Sequence, residues 1–201
     1  MLNQNKYKEF WKWFESNSNL IFHFENDLEK TFGLLSTELR KVDKNLTFEF
    51  GPVENKRREF ILSANGLRES FGEVEKLYNQ KPELEKWIMI KLRPRKGSDC
   101  VIKINDMEIS PKDIFYKLFA DGEKVGILVF IDKYNENIEL YGQITFLFLD
   151  TLLGEYDVET KVGAIEITDF TSEYFSTDAL SFDTLANCFD TAYKDINTKN
   201  K

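Results

Sequence analysis

Two charged clusters carry the residue types from which a binding or catalytic site could be built. The first is Arg93-Pro94-Arg95-Lys96. Proline fixes its own φ and restricts the residue before it. Two guanidinium forks held at such a turn could clamp a carboxylate or another anion. Arg93 and Arg95 are therefore candidate anion ligands. The second cluster is Glu155-Tyr156-Asp157-Val158-Glu159, directly after Gly154. Read as an extended chain, Glu155, Asp157 and Glu159 point to one side, with neighbours about 7 Å apart. Such a row can bind a cation or meet a basic partner. It can also supply a carboxylate pair for acid/base hydrolysis, whose separations are of this order. The plain alternatives are a solvated basic turn and the charged edge of a sheet, which resists aggregation.

Other catalytic templates are missing. His23 is the only histidine and lies between Phe22 and Phe24, so a zinc site of the two-histidine type cannot be assembled. There is no Gly-x-Ser-x-Gly elbow, no Gly-x-x-x-x-Gly-Lys-Ser/Thr loop and no Gly-x-Gly-x-x-Gly turn. Cys100 and Cys188 are too few for a disulfide framework and too far apart in sequence for a local metal site. No cofactor and no metal is expected, and no catalytic residue is assigned.

Charge narrows the partner classes. The 201 residues carry a net charge of −8, unevenly spread. Residues 1–100 hold 18 Lys+Arg against 16 Asp+Glu, whereas residues 101–201 hold 9 against 19. Between 150 and 195, 11 carboxylates face only Lys161 and Lys194. A field of this sign repels nucleic acid and anionic lipid and steers cationic partners. The expected partner is a basic protein, with no nucleic acid and no membrane. The most apolar run, Ile144 to Leu149, is far short of the roughly 20 residues that span a bilayer. The first residues, Met1 to Lys6, contain no apolar run, so no signal peptide is expected and the protein reads as cytoplasmic.

The elements that must position these residues follow from hydrophobic period. Tyr7, Phe10, Trp11 and Phe14 form one helical stripe, and a second stripe from Ile21 to Val42 predicts a helix over 20–43. The period then becomes two at Leu46, Phe48 and Phe50, a strand stopped at Gly51-Pro52, followed by another apolar segment at 58–64. A helix over 67–80 and an almost wholly apolar run, Trp87 to Leu92, come next. The run reads as a central strand covered on both faces. Strands at 101–104, 113–119 and 125–131, a helix over 138–153 ending at Gly154, a strand at 162–168 and a helix over 181–195 complete the chain; Ser110-Pro111 could instead start a helix through 118. Strand, strand, helix, strand thus occurs at 46–92 and again at 113–168. The expected fold is α+β, a mixed or antiparallel sheet built from these two units with N-terminal helices packed on it, in a single domain over 1–201.

Trp11-Lys-Trp-Phe14, Leu46-Thr-Phe-Glu-Phe-Gly-Pro52, Arg58-Glu-Phe-Ile-Leu-Ser-Ala64, Trp87-Ile-Met-Ile-Lys-Leu-Arg-Pro-Arg95 and Gly154-Glu-Tyr-Asp-Val158 resemble an uncharacterised group of bacterial domain-of-unknown-function proteins. The resemblance implies a bacterial cytoplasmic origin and supplies no activity, cofactor or site residue. Two functions remain in view, beside a structural subunit or homodimer suggested only by the aromatic excess. One is an inhibitor- or immunity-type binding protein that meets a basic partner through the acidic C-terminal half. The other is a carboxylate-dependent hydrolase or transferase, with Glu155 or Asp157 as acid/base and Arg93 or Arg95 holding an anion.

Overall fold

The computed structural model describes residues 5–104 and 107–199; Met1–Gln4, which belong to the start read above, lie outside them. The fold is α+β. Contacts divide the chain into two compact units, Met1–Arg93 and Pro94–Lys201, each with its own sheet and hydrophobic core. The division falls inside the basic cluster, between Arg93 and Pro94. Among the described residues no helix is long and apolar enough to cross a membrane.

The first unit opens with helices α1 (Asn5–Ser16), α2 (Ser18–Phe22) and α3 (Leu28–Val42). The predicted α1 stripe is the buried one: Tyr7, Phe10, Trp11 and Phe14. The helix expected over 20–43 is broken between Phe22 and Leu28. Asp27 has extended φ and its side chain accepts from Lys30 N, so it caps a new helix rather than continuing the old one. The break has a use. It lets Phe24 stack on Phe50 with ring centroids 4.8 Å apart and brings Glu25 to the buried guanidinium of Arg58. That guanidinium also lies over the rings of Phe22 and Phe24, at 5.4 and 4.5 Å.

Strands β1 (Thr47–Glu54) and β2 (Arg57–Ser63) form a hairpin closed by Asn55-Lys56, both with positive φ, as a tight two-residue turn requires. β1 therefore runs past the expected stop at Gly51-Pro52. Its register shifts between Phe50 and Val53, and as an edge strand it tolerates the missing N–H of Pro52. Helix α4 (Phe71–Tyr78) leads to β3 (Trp87–Lys91), which pairs in parallel with β2. The sheet order is β1-β2-β3, so β3 is an edge and β2 is central. This corrects the reading of Trp87–Leu92 as a strand covered on both faces. Trp87 and Met89 are buried, but Ile88 between them is 38% exposed. Phe60 on β2 is the hub of the core, with ring centroids 4.8 Å from Phe14, 5.6 Å from Phe50 and 6.2 Å from both Phe48 and Trp87.

The second unit holds a short hairpin, β4 (Ile102–Ile104) and β5 (Met107–Ile109), then the long hairpin β6 (Ile114–Asp121) and β7 (Lys124–Ile131). Helices α5 (Ile138–Leu153) and α6 (Glu155–Lys161) lead to β8 (Val162–Thr168), parallel to β7. The connection after β8 lays Phe170 and Phe175 against Phe115 and Phe130 and returns as β9 (Leu180–Ser181) beside β6. Helix α7 (Leu185–Lys199) packs on β6 and β7. The strand order is β8-β7-β6-β9. The two units share one plan: an antiparallel hairpin, a helical crossover, and a third strand added in parallel to the hairpin's second strand.

Charged side chains join the helices of the first unit. Lys6 on α1 donates to Val42 O at 2.8 Å, at the end of α3, and to Glu73 on α4 at 2.6 Å. Tyr7 OH and Lys76 Nζ donate to the same carboxylate, each at 2.8 Å. Burial alone would raise the Glu73 pKa. The hydrogen bonds from Lys6, Lys76 and Tyr7 and the Lys6 charge outweigh it and bring it from 4.5 down to about 2. Burial, and then the bond to Glu73, push Tyr7 up to about 12. Because the folded value of Glu73 is depressed, its stabilisation is complete above the unfolded pKa and is lost as pH falls from about 4.5 towards about 2. We predict that Glu73→Gln lowers unfolding stability by about 1–2 kcal/mol near neutral pH, measured by urea denaturation. The gap to the parent should close by pH about 2. Equal stability at neutral pH would show that the network contributes nothing.

Candidate functional site

The carboxylate row expected on an extended strand does not form, because residues 155–161 are the helix α6. Gly154, with φ +77°, ends α5 by donating its N–H to Asp150 O, and its own carbonyl then accepts from Val158 N. The charged alternation at 155–159 hid a second pattern. Glu155 and Val158, three apart, are both buried, and Asp157 pairs with Lys161 four residues on, at 2.7 Å. Helical spacing puts Glu155 and Glu159 on one side and Asp157 on another. Glu155 is fully buried and Glu159 is half-buried.

Arg95 and Asp157 do come together. Arg95 donates from Nε to Leu153 O at 2.9 Å, at the end of α5. Its Nη1 and Nη2 grip Asp190 of α7 at 2.8 Å each, and Nη2 also bonds Asp157 of α6. One guanidinium thus fastens three helices of the second unit. The bonds to Asp190 raise the Arg95 pKa, and the same bonds hold the Asp190 carboxyl below its ordinary range. Arg95 remains charged and Asp190 ionised, opposite to what a general acid needs. The fork that would grip a substrate anion already grips a protein carboxylate. Arg93 belongs to the first unit, where it pairs with Glu49 and donates from Nη2 to Asn65 Oδ1 at 3.3 Å.

His23 is exposed, its ring edge-on to Phe22. Cys100 and Cys188 are half-buried and unpaired by disulfide. Among the described residues no group of three or more His, Cys, Asp or Glu could hold a metal ion.

A surface missed by residue-type reasoning lies on α5. Tyr141, Ile144, Phe148, Leu149, Leu152 and Leu153 face inward. Phe146 and Leu147 face outward, 49% and 53% exposed, and Ile138 at the first turn is 59% exposed. By helical spacing Glu139, Gln143 and Asp150 share that outer side. Exposed Asp132 and Glu136 precede it. The signal was present in the run Ile144-Thr145-Phe146-Leu147-Phe148-Leu149. Six successive apolar or near-apolar residues in a helix cannot all face one core.

Comparison with known proteins finds no matching family model, no matching curated protein and no matching solved structure.

If Arg95 is a structural tie, the planar fork matters more than the charge. Arg95→Lys should lower the thermal stability of the protein, by about 1–2 kcal/mol at this partly exposed site. A variant that melts with the parent would remove the tie from the account.

Proposed function

We propose that this chain is a binding protein, of inhibitor or immunity type, that takes a cationic amphipathic segment of another protein on the outer side of α5. The carrying observation is that Phe146 and Leu147 stand exposed on a helix side that also bears Glu139 and Asp150. Apolar side chains within an acidic rim are the complement of a segment bearing Leu or Phe among Lys and Arg. The charge of the unit supports the same reading. Residues 94–201 hold 20 Asp+Glu against 11 Lys+Arg. Several of those cations are engaged within the unit: Arg95 with Asp157 and Asp190, Lys103 with Glu108, Lys117 with Asp178, and Lys161 with Asp157. The apolar pair supplies the desolvated anchor; the rim supplies orientation and on-rate.

A labelled Lys/Leu peptide of about 18 residues, helical over ~27 Å, tests the reading by fluorescence anisotropy. The expected result is saturable binding that weakens at least ~10-fold between about 50 and 500 mM NaCl, as the screening length shortens. Phe146→Ser with Leu147→Ser should abolish it, with unfolding stability retained because both side chains are exposed. Equal binding of a Glu/Leu peptide, or an unaffected double variant, would overturn the proposal.

A further inference from the structure

We infer that the first unit carries a separate anion site, suited to a phosphate monoester, in the cleft between the end of α3, the start of β1 and the Asn65-Gly66 turn. The cleft has a volume of about 340 Å³; its polar lining is Ser36, Arg40, Lys44, Asn45, Thr47 and Asn65, Leu46 and Leu67 supply the apolar part, and no carboxylate is among the lining residues. That volume is at the small end of the range for small-molecule sites, enough for a phosphate bearing a compact organic group.

Among the described residues its two cations share one cleft and pair with no carboxylate; other exposed cations of the unit, such as Lys12 and Lys30, pair with none either. Lys6, Lys41, Arg58, Lys76, Lys91 and Arg93 of the same unit each hold a carboxylate. Among the described residues Arg40 and Lys44 hold none, although both flank the C-terminal end of α3. The nearby acids are already committed. Asp43 Oδ1 accepts from Asn45 N at 2.8 Å and from Ser70 Oγ at 3.1 Å, and Glu49 is held by Arg93.

The neutral lining is arranged to donate. Asn65 sits at φ +53°, in the turn between β2 and α4, and its Oδ1 is taken by Arg93, so its Nδ2 hydrogens remain for a ligand. Ser36 and Thr47 add hydroxyls from the α3 and β1 sides. A guanidinium, an ammonium, an amide and two hydroxyls around one cleft can saturate the oxygens of a dianion more fully than those of a single carboxylate. Arg93 serves here as a positioning residue: it donates to Asn65 Oδ1 and pairs with Glu49, two residues beyond Thr47 on β1.

The test is a titration of the whole chain with inorganic phosphate and with glycerol phosphate, followed by amide NMR shifts, with acetate at matched ionic strength as the control. Saturable shifts confined to residues around 36–47 and 65–67 are expected. Arg40→Ala and Lys44→Ala should each weaken binding by about 10-fold, while Lys12→Ala, at an exposed cation on α1 that does not line the cleft, should leave it unchanged. All three side chains are exposed, so a thermal melt that matches the parent confirms folding in each. Non-saturable shifts, equal effects from acetate, or Arg40 and Lys44 variants that bind as the parent does would overturn the site.

Discussion

The parallel pairing of a third strand with the second strand of a hairpin is the constraint on which both units depend. A parallel neighbour cannot be reached by a tight turn; the chain must cross the sheet, and it does so as a helix. The hairpin's second strand then becomes central and is buried along most of its length: Phe60 to Ser63 in β2, and Val125 to Ile131 apart from Leu128 in β7. The crossover helix has to cover that strand. In the first unit eight residues of α4 do this together with the N-terminal helices. In the second, α5 is twice as long, with α7 beside it, and its outer side is left facing solvent with Phe146 and Leu147 upon it.

Electrostatics divides the charged residues into ties and free surface. Lys6–Glu73 and Arg95–Asp157–Asp190 each join three helices, and their carboxylates or cations are shifted towards the charged form by those bonds. Partly exposed pairs of this kind are worth little singly, and their value lies in the shared node. The overall balance differs between the two units: residues 1–93 hold 16 Lys+Arg against 15 Asp+Glu, with Arg40 and Lys44 sharing one cleft, whereas residues 94–201 carry an acidic excess. The two ligands proposed above, an anion and a cationic protein segment, match that difference.

Much of the architecture was legible because hydrophobic period reports which face of an element is buried. The stripes of α1 and α5, both hairpins and the repeated plan were all readable from it. Strand position was not, because Trp87-Ile88-Met89-Ile90 reads as a buried run whether or not its second face is covered. The break before Leu28 was masked because Ile21, Phe24, Leu28 and Phe32 keep helical spacing across a cap. The Glu155–Glu159 row failed for a related reason: alternating charge over five residues fits a strand, and it fits a helix equally well when positions 155, 158 and 162 are the buried ones. The candidate residues Arg93 and Arg95 were conspicuous by type, yet each is occupied by protein groups. The unpaired cations and the outward Phe146 and Leu147 are visible only once partners and exposure are known.

The most direct measurement is where, on the labelled protein, a cationic amphipathic peptide makes contact. Amide-shift mapping should place it on residues 132–150, centred on Phe146 and Leu147, with the signal fading as salt is raised. Shifts centred on the first unit, or spread evenly over the acidic residues of 94–201 with Phe146 and Leu147 silent, would contradict the account.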